Sequence, residues 1–296
     1  MSKLNRGFNQ TALNGSIGAV TYVTRKGITV ARQKVPAKSS ARRTLRSQTQ
    51  RMKWMNNIRI WQSLNTVGWH PSFMNKSGLQ SDFNMFIKAN AALSGVYLTK
   101  QEVDANGGVV AGVQLTQGTL PPIGGTLGDG GKFVTTIRMG GITIGASTTV
   151  KTFSTAIVDN NPFINNGDQL TFVALHQLED SNEIPRIQAD VREITLDVND
   201  ELTLLSDILP ANMLTVEEGV LVTSGSTNGG AAVVHSSLTN NVYTVSSERL
   251  EVNNNLLRLY QSDEALQKSI LSYGGLSAVQ FLVPNVEDLV SAPIEP

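Results

Sequence analysis

The sequence contains no cysteine, and this absence removes several classes of chemistry. Disulfide bonds, thiolate metal ligands and cysteine nucleophiles are all excluded for a chain without thiols. Charged residues are also few, at 16% of the 296 residues, whereas hydrophobic residues make up 40%. This balance is typical of a folded chain with a substantial core and excludes a disordered one.

Long hydrophobic runs are missing as well. The longest apolar stretches, such as residues 231–234, have the length of a strand, whereas a membrane helix needs about 20 apolar residues. Residues 1–6 are polar and lead into no apolar segment, so we expect no secretory signal. We therefore expect synthesis in the cytoplasm without conventional export, and no membrane partner.

The first 81 residues contain no acidic residue. Asp82 is the first acid of the chain, although 14 of the 24 Lys and Arg residues lie before it. The remaining 10 basic residues and all 24 acids follow, so the neutral total divides into +14 and −14. The basic segment would be neutralised by nucleic-acid phosphates or by an acidic surface such as residues 82–296 of another copy. Contacts of the second kind are head-to-tail and close into rings when the rotation permits; the sequence favours them and leaves nucleic acid open.

The cations and aromatics of the basic segment are the candidate contact residues. Trp54, Trp61 and Trp69 are predicted to pack at an interface. Tyr22 and two of these tryptophans would stack on bases if the partner were a nucleic acid, although the helical spacing of Trp54 and Trp61 favours packing. The cations predicted to contact a partner or phosphates are Arg25, Lys26, Arg32, Lys34, Lys38, Arg42, Arg43, Arg46, Arg51, Lys53 and Arg59.

The N-terminal third has hairpin and helix patterns. Residues 18–23 and 27–31 are rich in β-branched residues and flank a short connection, which predicts a β-hairpin. Residues 41–64 repeat apolar side chains at three- and four-residue steps, which predicts an amphipathic helix. Ser81 is the predicted N-cap of a second helix that ends at residue 93.

The rest of the chain alternates β-branched segments with Gly, Asn, Asp and Pro turns. Many short strands at this spacing favour a β-sandwich-like region. We also predict a short helix over 263–271 behind a Ser262 cap. The predicted strands are 108–116, 132–138, 142–145, 149–158, 169–177, 188–197, 202–205, 219–223, 231–236, 242–246 and 278–283.

The predicted fold is therefore α+β and mostly β. Residues 1–95 form a basic arm, hairpin and helical region, and residues 96–296 form the β-rich region. This region divides into two candidate subdomains, about 96–200 and 201–285, followed by an extended tail.

No motif in the sequence meets the spacing that catalysis requires. Residues 124–132 are rich in glycine, but Thr126 stands where the phosphate-binding loop needs glycine, and Phe133 follows Lys132 in place of Ser or Thr. There is no Gly-x-Ser-x-Gly elbow. Asp190 and Glu193 are acids that nothing in the sequence places in a cleft. We therefore expect no enzyme.

Metal sites are not predicted either. None of His70, His176 and His235 has a second ligand at a metal-binding spacing. The acids around Asn199 supply oxygen atoms suited to calcium, but the ordered EF-hand pattern is missing, which favours a solvated loop. These acids are Asp197, Asp200 and Glu201. No cofactor is expected.

Several short motifs resemble an uncharacterised domain family of Bacteroidetes genomes and of the tailed crAss-like phages that infect these bacteria. The resemblance covers about the first 95 residues well and the remainder loosely. It implies a basic hairpin–helix region before a β-sandwich-like part, and it supplies no catalytic residues. The motifs that carry it are 15–20, 26–32, Ser39-Ser40, Gln48-x-x-Arg51, Gly68-Trp69, 81–86, 272–274 and 281–284.

These features together lead to one expected function. The chain is expected to be a non-enzymatic structural component of a phage virion, as a tail or neck (collar) ring protein. Its expected partners are copies of itself and neighbouring virion proteins, and packaged DNA is a further candidate. The alternative is a nucleic-acid-binding protein that uses the basic region. A cell-envelope adhesion or carbohydrate-binding module would fit the β-rich part but leaves the cations unexplained.

Overall fold

The computed structural model describes residues 3–4, 15–25, 28–34, 45–77, 80–93, 95–224 and 228–273. Within them strand outweighs helix, 34% against 28%, and the sheets are antiparallel. An α+β fold with more strand than helix is therefore confirmed. The predicted strand 278–283 lies outside the described residues.

Seven helices and thirteen strands are present in this described part. The helices are α1 (Leu45–Thr66), α2 (Asp82–Asn90), α3 (Lys100–Asp104), α4 (Val150–Asn160), α5 (Leu205–Ile208), α6 (Asn255–Tyr260) and α7 (Asp263–Ser272). The strands are β1 (Lys3–Leu4), β2 (Gly15–Ile17), β3 (Val20–Arg25), β4 (Ile28–Gln33), β5 (Gly125–Leu127), β6 (Lys132–Arg138), β7 (Gln169–Glu179), β8 (Pro185–Thr195), β9 (Leu214–Glu217), β10 (Val220–Ser224), β11 (Gly229–Thr239), β12 (Val242–Val245) and β13 (Glu251–Asn253).

The strands form three sheets. An N-terminal sheet has the order β1-β4-β3-β2 and contains the predicted hairpin, in which β3 pairs with β4. A second sheet has the order β5-β6-β10-β9. The third and central sheet has the order β12-β11-β7-β8, with β13 also paired to β11.

The central sheet is covered on both faces. Strand β11 is buried from Gly229 to Ser236 without interruption, because successive side chains point to opposite faces and both faces pack. Ala232 and Val234 join an apolar cluster that includes Ile60 of α1. The opposite side of the strand packs into a second cluster, to which the second sheet and α4 contribute. The predicted domain boundaries stay predictions.

Helix α1 packs against this sheet through one narrow stripe of buried side chains. Met52, Asn56, Ile60 and Leu64 recur every four residues and are all at most 1% exposed. Helix α2 begins at the predicted cap, where the Ser81 hydroxyl accepts the Asn84 N–H at 3.2 Å. It ends at Asn90, three residues before the predicted end. Helix α7 also has its predicted cap, Ser262.

Six predicted strands of the β-rich region are confirmed. Strand 132–138 has the predicted bounds, and the ends of five others are shifted: 169–177, 188–197, 219–223, 231–236 and 242–246. The strand predicted over 149–158 is wrong, because these residues lie in α4. Thr149 caps that helix by accepting the Thr152 N–H, and Val150, Phe153 and Ile157 bury one helical face. The strands predicted over 142–145 and 202–205 are also wrong; the second contributes only a bridge from Leu204 to Thr149.

The strand predicted over 108–116 is wrong for a different reason. This buried segment belongs to none of the described sheets, and side-chain carboxamides bind its backbone. Asn56 Nδ2 donates to the Val109 carbonyl at 2.9 Å, and Asn56 Oδ1 accepts the Val109 N–H at 2.8 Å. Asn90 makes the same pair of bonds with Gln114, at 3.0 and 2.7 Å. Each carboxamide thus replaces the two bonds that a neighbouring strand would make.

Two further carboxamides serve the same segment. Gln177 Oε1 accepts the Val110 N–H at 2.7 Å, and its Nε2 donates to the Gly108 carbonyl at 3.3 Å. Asn254 Nδ2 donates to the Val110 carbonyl at 3.1 Å. Buried backbone groups must be paired. These side chains therefore allow a segment that belongs to none of the described sheets to cross the core.

We expect Asn56→Ala to lower the free energy of unfolding by about 2–5 kcal/mol, because it leaves two buried backbone groups of Val109 without partners. Asn65→Ala is the matched control: Asn65 is exposed on the same helix, and its loss should change stability by less than about 0.5 kcal/mol. Urea unfolding measures both. Equal effects of the two substitutions would contradict this account of the segment.

Candidate interaction surface

The N-terminal sheet has no buried side chain among those that the structure describes. These side chains, between Gly15 and Lys34, are half-buried or exposed. A sheet ordinarily buries at least one face against another layer, and small sheets without such packing are marginal in water. The sheet therefore has the properties of a surface that needs a partner.

The two faces of this sheet differ in charge. The register of β3 and β4 pairs Val20 with Gln33, Tyr22 with Ala31 and Thr24 with Thr29, and directly paired residues share a face. We call these six residues the uncharged face. Arg32, opposite Thr21, lies on the other face, where Val23 pairs with Val30. The uncharged face is thus suited to an apolar contact, and the other to an anionic one.

The exposed side of α1 adds a second cationic feature. Arg51 is exposed and Lys53 is half-buried. Trp54, which the sequence places in the apolar stripe, is 50% exposed and lies outside the packed side of the helix. Helix α1 contains no acidic residue, so its cations have no acidic partner within the helix.

Arg59 differs from the other predicted cations. Its Nη1 donates to Gln62 Oε1 at 2.7 Å and its Nη2 to the Val103 carbonyl at 3.1 Å. Burial lowers the pKa of Arg59, and the Arg186 guanidinium nearby lowers it further. Arg59 therefore supports the end of α3, a role that its position in a basic run does not indicate.

The other two tryptophans pack within the chain. The Trp61 ring lies 5.4 Å from Phe83 and from Phe86, centroid to centroid, and stacks on His70 at 6.2 Å. Trp69 is half-buried against the first apolar cluster. The helical spacing favoured packing for both Trp54 and Trp61. Trp61 packs within the chain, whereas Trp54 is half exposed. That the three tryptophans pack at an interface stays a prediction.

Several predicted contact residues fall outside the described structure. They are Lys26, Lys38, Arg42 and Arg43, and for Arg25 and Arg46 only the backbone is described. Arg32 and Lys34 are described and exposed. That these cations contact a partner stays a prediction.

The three histidines lie in separate environments. Within the described ranges no three metal-ligating side chains come together. His176 lines a cavity of about 150 Å³ with Asp190, Asn212 and Thr223. Asp190 pairs with Arg192 at 3.0 Å, so this carboxylate already has a cation.

His235 forms a buried side-chain hydrogen bond with Asp168. Its Nε2 lies 2.8 Å from Asp168 Oδ2, and both side chains are at most 5% exposed. Asp168 also accepts the Asn165 N–H at 2.8 Å, so the pair holds the turn before β7 against β11. The two residues are 67 positions apart, and no spacing in the sequence signals their contact.

The remaining candidate acids have structural partners. Asp190 and Glu193 are three positions apart on β8 and so lie on opposite faces; Glu193 accepts from Gln169 Nε2 at 2.9 Å. Asp197 accepts the Asn199 N–H, and Asp200 accepts the Thr203 N–H. Glu201 pairs with Lys151. The glycine-rich residues 124–132 form the β5–β6 hairpin, with Gly130 at φ 72° in its turn.

Two buried carboxylates were missed because their partners are distant in the sequence. Glu248 is 4% exposed and accepts the Ile123 and Gly124 N–H groups; burial raises its pKa. Glu102 accepts from the Tyr260 hydroxyl at 3.0 Å. Burial and the Glu102 carboxylate raise the pKa of Tyr260.

Comparisons of the chain with protein-family models, with curated proteins and with solved structures find no match. Among the described helices, none combines the length and apolar character of a membrane-spanning segment.

We expect Glu248 to make stability depend on pH. Because its pKa is raised in the folded state, folding binds its proton more tightly, and the free energy of unfolding falls as pH rises above about 4, up to the folded-state pKa. Glu248→Gln should remove this fall, and Glu251→Gln, at an exposed site, should retain it. Urea unfolding between about pH 4 and 8 measures the slopes. If the free energy of unfolding of the parent protein rose with pH over this range, relative to that of Glu248→Gln, a raised folded-state pKa of Glu248 would be contradicted.

Proposed function

We propose that the protein is a non-enzymatic structural component of a tailed-phage virion, a tail or neck ring protein that assembles through contacts between its copies. In this proposal the basic N-terminal region is an arm and the β-rich region a sandwich-like body. The observation that supports it most is the N-terminal sheet, whose described side chains are never buried.

The contrast between sheet and body is the physical basis of the proposal. The body fills two apolar clusters on the two faces of its central sheet. The N-terminal sheet has an uncharged face with Val20, Tyr22 and Ala31, half-buried and available. Burying such apolar area gives about 25 cal/mol per Å², so a contact there is favourable once a partner supplies the second layer.

A ring needs a second, different surface on each copy. The β11–β12 hairpin supplies an uncharged candidate. Leu238 and Tyr243 are paired across the hairpin and are 67% and 46% exposed, and Val242 beside them is 58% exposed. Exposed apolar side chains grouped in this way are typical of contact surfaces.

Charge supports the same head-to-tail direction. The N-terminal 81 residues carry only cations, and all 24 acids lie in the remainder. Glu179 and Glu183 are exposed at the tip of the β7–β8 hairpin. Complementary charges on two ends of one chain favour association of unlike ends and oppose association of like ends.

The proposal also assigns the chain a family and a location. We propose that the chain belongs with the Bacteroidetes and crAss-like phage family that its N-terminal motifs resemble, and that it resides in the virion after synthesis in the host cytoplasm. Its partners would be copies of itself and adjacent virion proteins, with packaged DNA as a further candidate. Peptides of the chain in purified particles, and their absence from mock preparations, are the expected result.

Nucleic-acid binding is the second candidate function. The observation that favours it is the position of Arg51 and Trp54 on the exposed side of α1, since cations beside an exposed aromatic ring suit single strands.

The assembly proposal predicts discrete oligomers of the full chain at micromolar concentration by native mass spectrometry. Tyr22→Asp should shift the population to the 31.9 kDa monomer, because burying an unpaired charge in an apolar contact is costly. Thr21→Asp, one position away on the face of Arg32, is the control and should retain the oligomer. A monomer in the parent protein, or equal loss in both variants, would overturn the proposal.

Salt titration of DNA binding separates the two functions. For a structural protein we expect no retention on DNA at physiological salt. A steep fall of affinity with salt, reduced when Arg42, Arg43 and Arg46 are replaced by alanine, would instead establish phosphate contacts. The exposed Lys268 of α7 provides a matched charge-removal control, Lys268→Ala, which should leave any such affinity unchanged.

A further inference from the structure

The uncharged face of the N-terminal sheet has a specific complement in the sequence. We propose that residues 274–296 of a neighbouring copy cover this face, with residues 278–283 lying across Val20, Tyr22 and Ala31. The inference rests on the proposed assembly of copies and names the segment that makes the contact.

The tail has an alternating apolar pattern. Val279, Phe281 and Val283 alternate with Ala278, Gln280 and Leu282, and in an extended segment alternate residues share a side. One side of the segment would therefore carry a valine, a phenylalanine and a valine. This side would supply an apolar layer for Val20, Tyr22 and Ala31, which the described residues leave half-buried.

The segment and the strands that it would cover agree in length. Strands β3 and β4 are six residues long, and residues 278–283, of which only Gln280 is polar, number six as well. Six extended residues span about 20 Å. The side with Val279, Phe281 and Val283 is therefore long enough to cover the uncharged face along these strands.

The tail and the N-terminal sheet are opposite in charge. Residues 274–296 contain Glu287, Asp288 and Glu295 and no lysine or arginine. Arg32 and Lys34 are exposed at the end of β4, and the first 81 residues contain no acid. A tail with only negative charge is therefore attracted to this sheet, and salt weakens the attraction. Because Arg32 lies on the opposite face, the choice of the uncharged face depends on the apolar side of the tail and not on charge.

The length of the tail also permits a contact at a distance from its own helix. Helix α7 lies on α1, where the Ser269 hydroxyl contacts Met52 Sδ at 2.7 Å, and the described chain ends at Tyr273. The following 23 residues span up to about 75 Å when extended, which exceeds the roughly 20 Å that residues 278–283 would cover on the sheet.

The absence of cysteine makes a disulfide test direct. One full-length chain carries Tyr22→Cys, a second carries Phe281→Cys, and the two are mixed and oxidised mildly. The control replaces the first chain with Val23→Cys, which is equally half-buried but lies on the opposite face of β3. Since a disulfide forms only when the two Cβ atoms approach to about 4 Å, we expect interchain Tyr22–Phe281 linkage at least about tenfold faster than Val23–Phe281 linkage.

The outcomes separate this inference from the assembly proposal. Preferential interchain linkage at position 22 supports the inference. Oligomers without that preference, or linkage of Tyr22→Cys to Leu238→Cys of the exposed hairpin in its place, overturn it and leave the assembly proposal standing. A disulfide formed only within one chain carrying both substitutions also overturns it. A monomeric parent protein removes both proposals.

A second variant keeps the test independent of folding defects. Glu287→Gln with Asp288→Asn retains the apolar run and removes two charges of the tail. We expect linkage to slow by about 2- to 5-fold per removed charge at low salt, and to match the parent rate at about 1 M salt, where screening is nearly complete. An unchanged rate at low salt would overturn the charge contribution to this contact.

Discussion

The fold depends on pairing the backbone of a buried segment that lies outside the described sheets. Another chain segment pairs with it near its end, where the Leu115 N–H donates to the Glu248 carbonyl at 2.9 Å and the Leu250 N–H donates to the Val113 carbonyl at 2.8 Å. Residues 108–116 cross the first apolar cluster between the N-terminal helices and the central sheet, where unpaired N–H and C=O groups are costly. Asn56 of α1 and Asn90 near the end of α2 bind this segment from one side, and Gln177 of β7 binds it from the other. The carboxamides thus connect the helical part of the chain to the sheet, and the apolar contacts of both depend on the position they give the segment.

The two apolar clusters bury the core of the body, whereas none of the described side chains of the N-terminal sheet is buried. Tyr22 and Ala31 lie on a sheet face for which the described residues provide no buried contact. Charge is divided between the same two parts of the chain, because the first 81 residues carry only cations and all the acids lie in the remainder. Both features concern contacts outside the folded core, which is why we interpret the protein through its neighbours and not through a reaction.

Local pattern predicted much of this organisation. Alternation and turn residues located six strands of the β-rich region and the N-terminal hairpin, and Ser81 and Ser262 marked helix starts. Pattern failed over 149–158, where β-branched residues favour a strand but their buried members recur at helical spacing. It also failed for Arg59, whose guanidinium binds the end of α3. The helical spacing of 149–158 and its Thr149 cap are local signals that the β-branched content outweighed. For Arg59 the deciding partner lies on another element, which local propensity does not contain.

The sequence by itself determined the division of charge at Asp82, the absence of thiol chemistry and the strand and helix signals that depend on near neighbours. Only the tertiary structure decided that 108–116 is bound by carboxamides and that Asp168 meets His235 across 67 positions. It also decided that Trp54 is exposed while Trp61 packs. The physical reason is that burial and hydrogen-bond partners depend on which elements come together in space, and those contacts are not encoded in the spacing of adjacent residues.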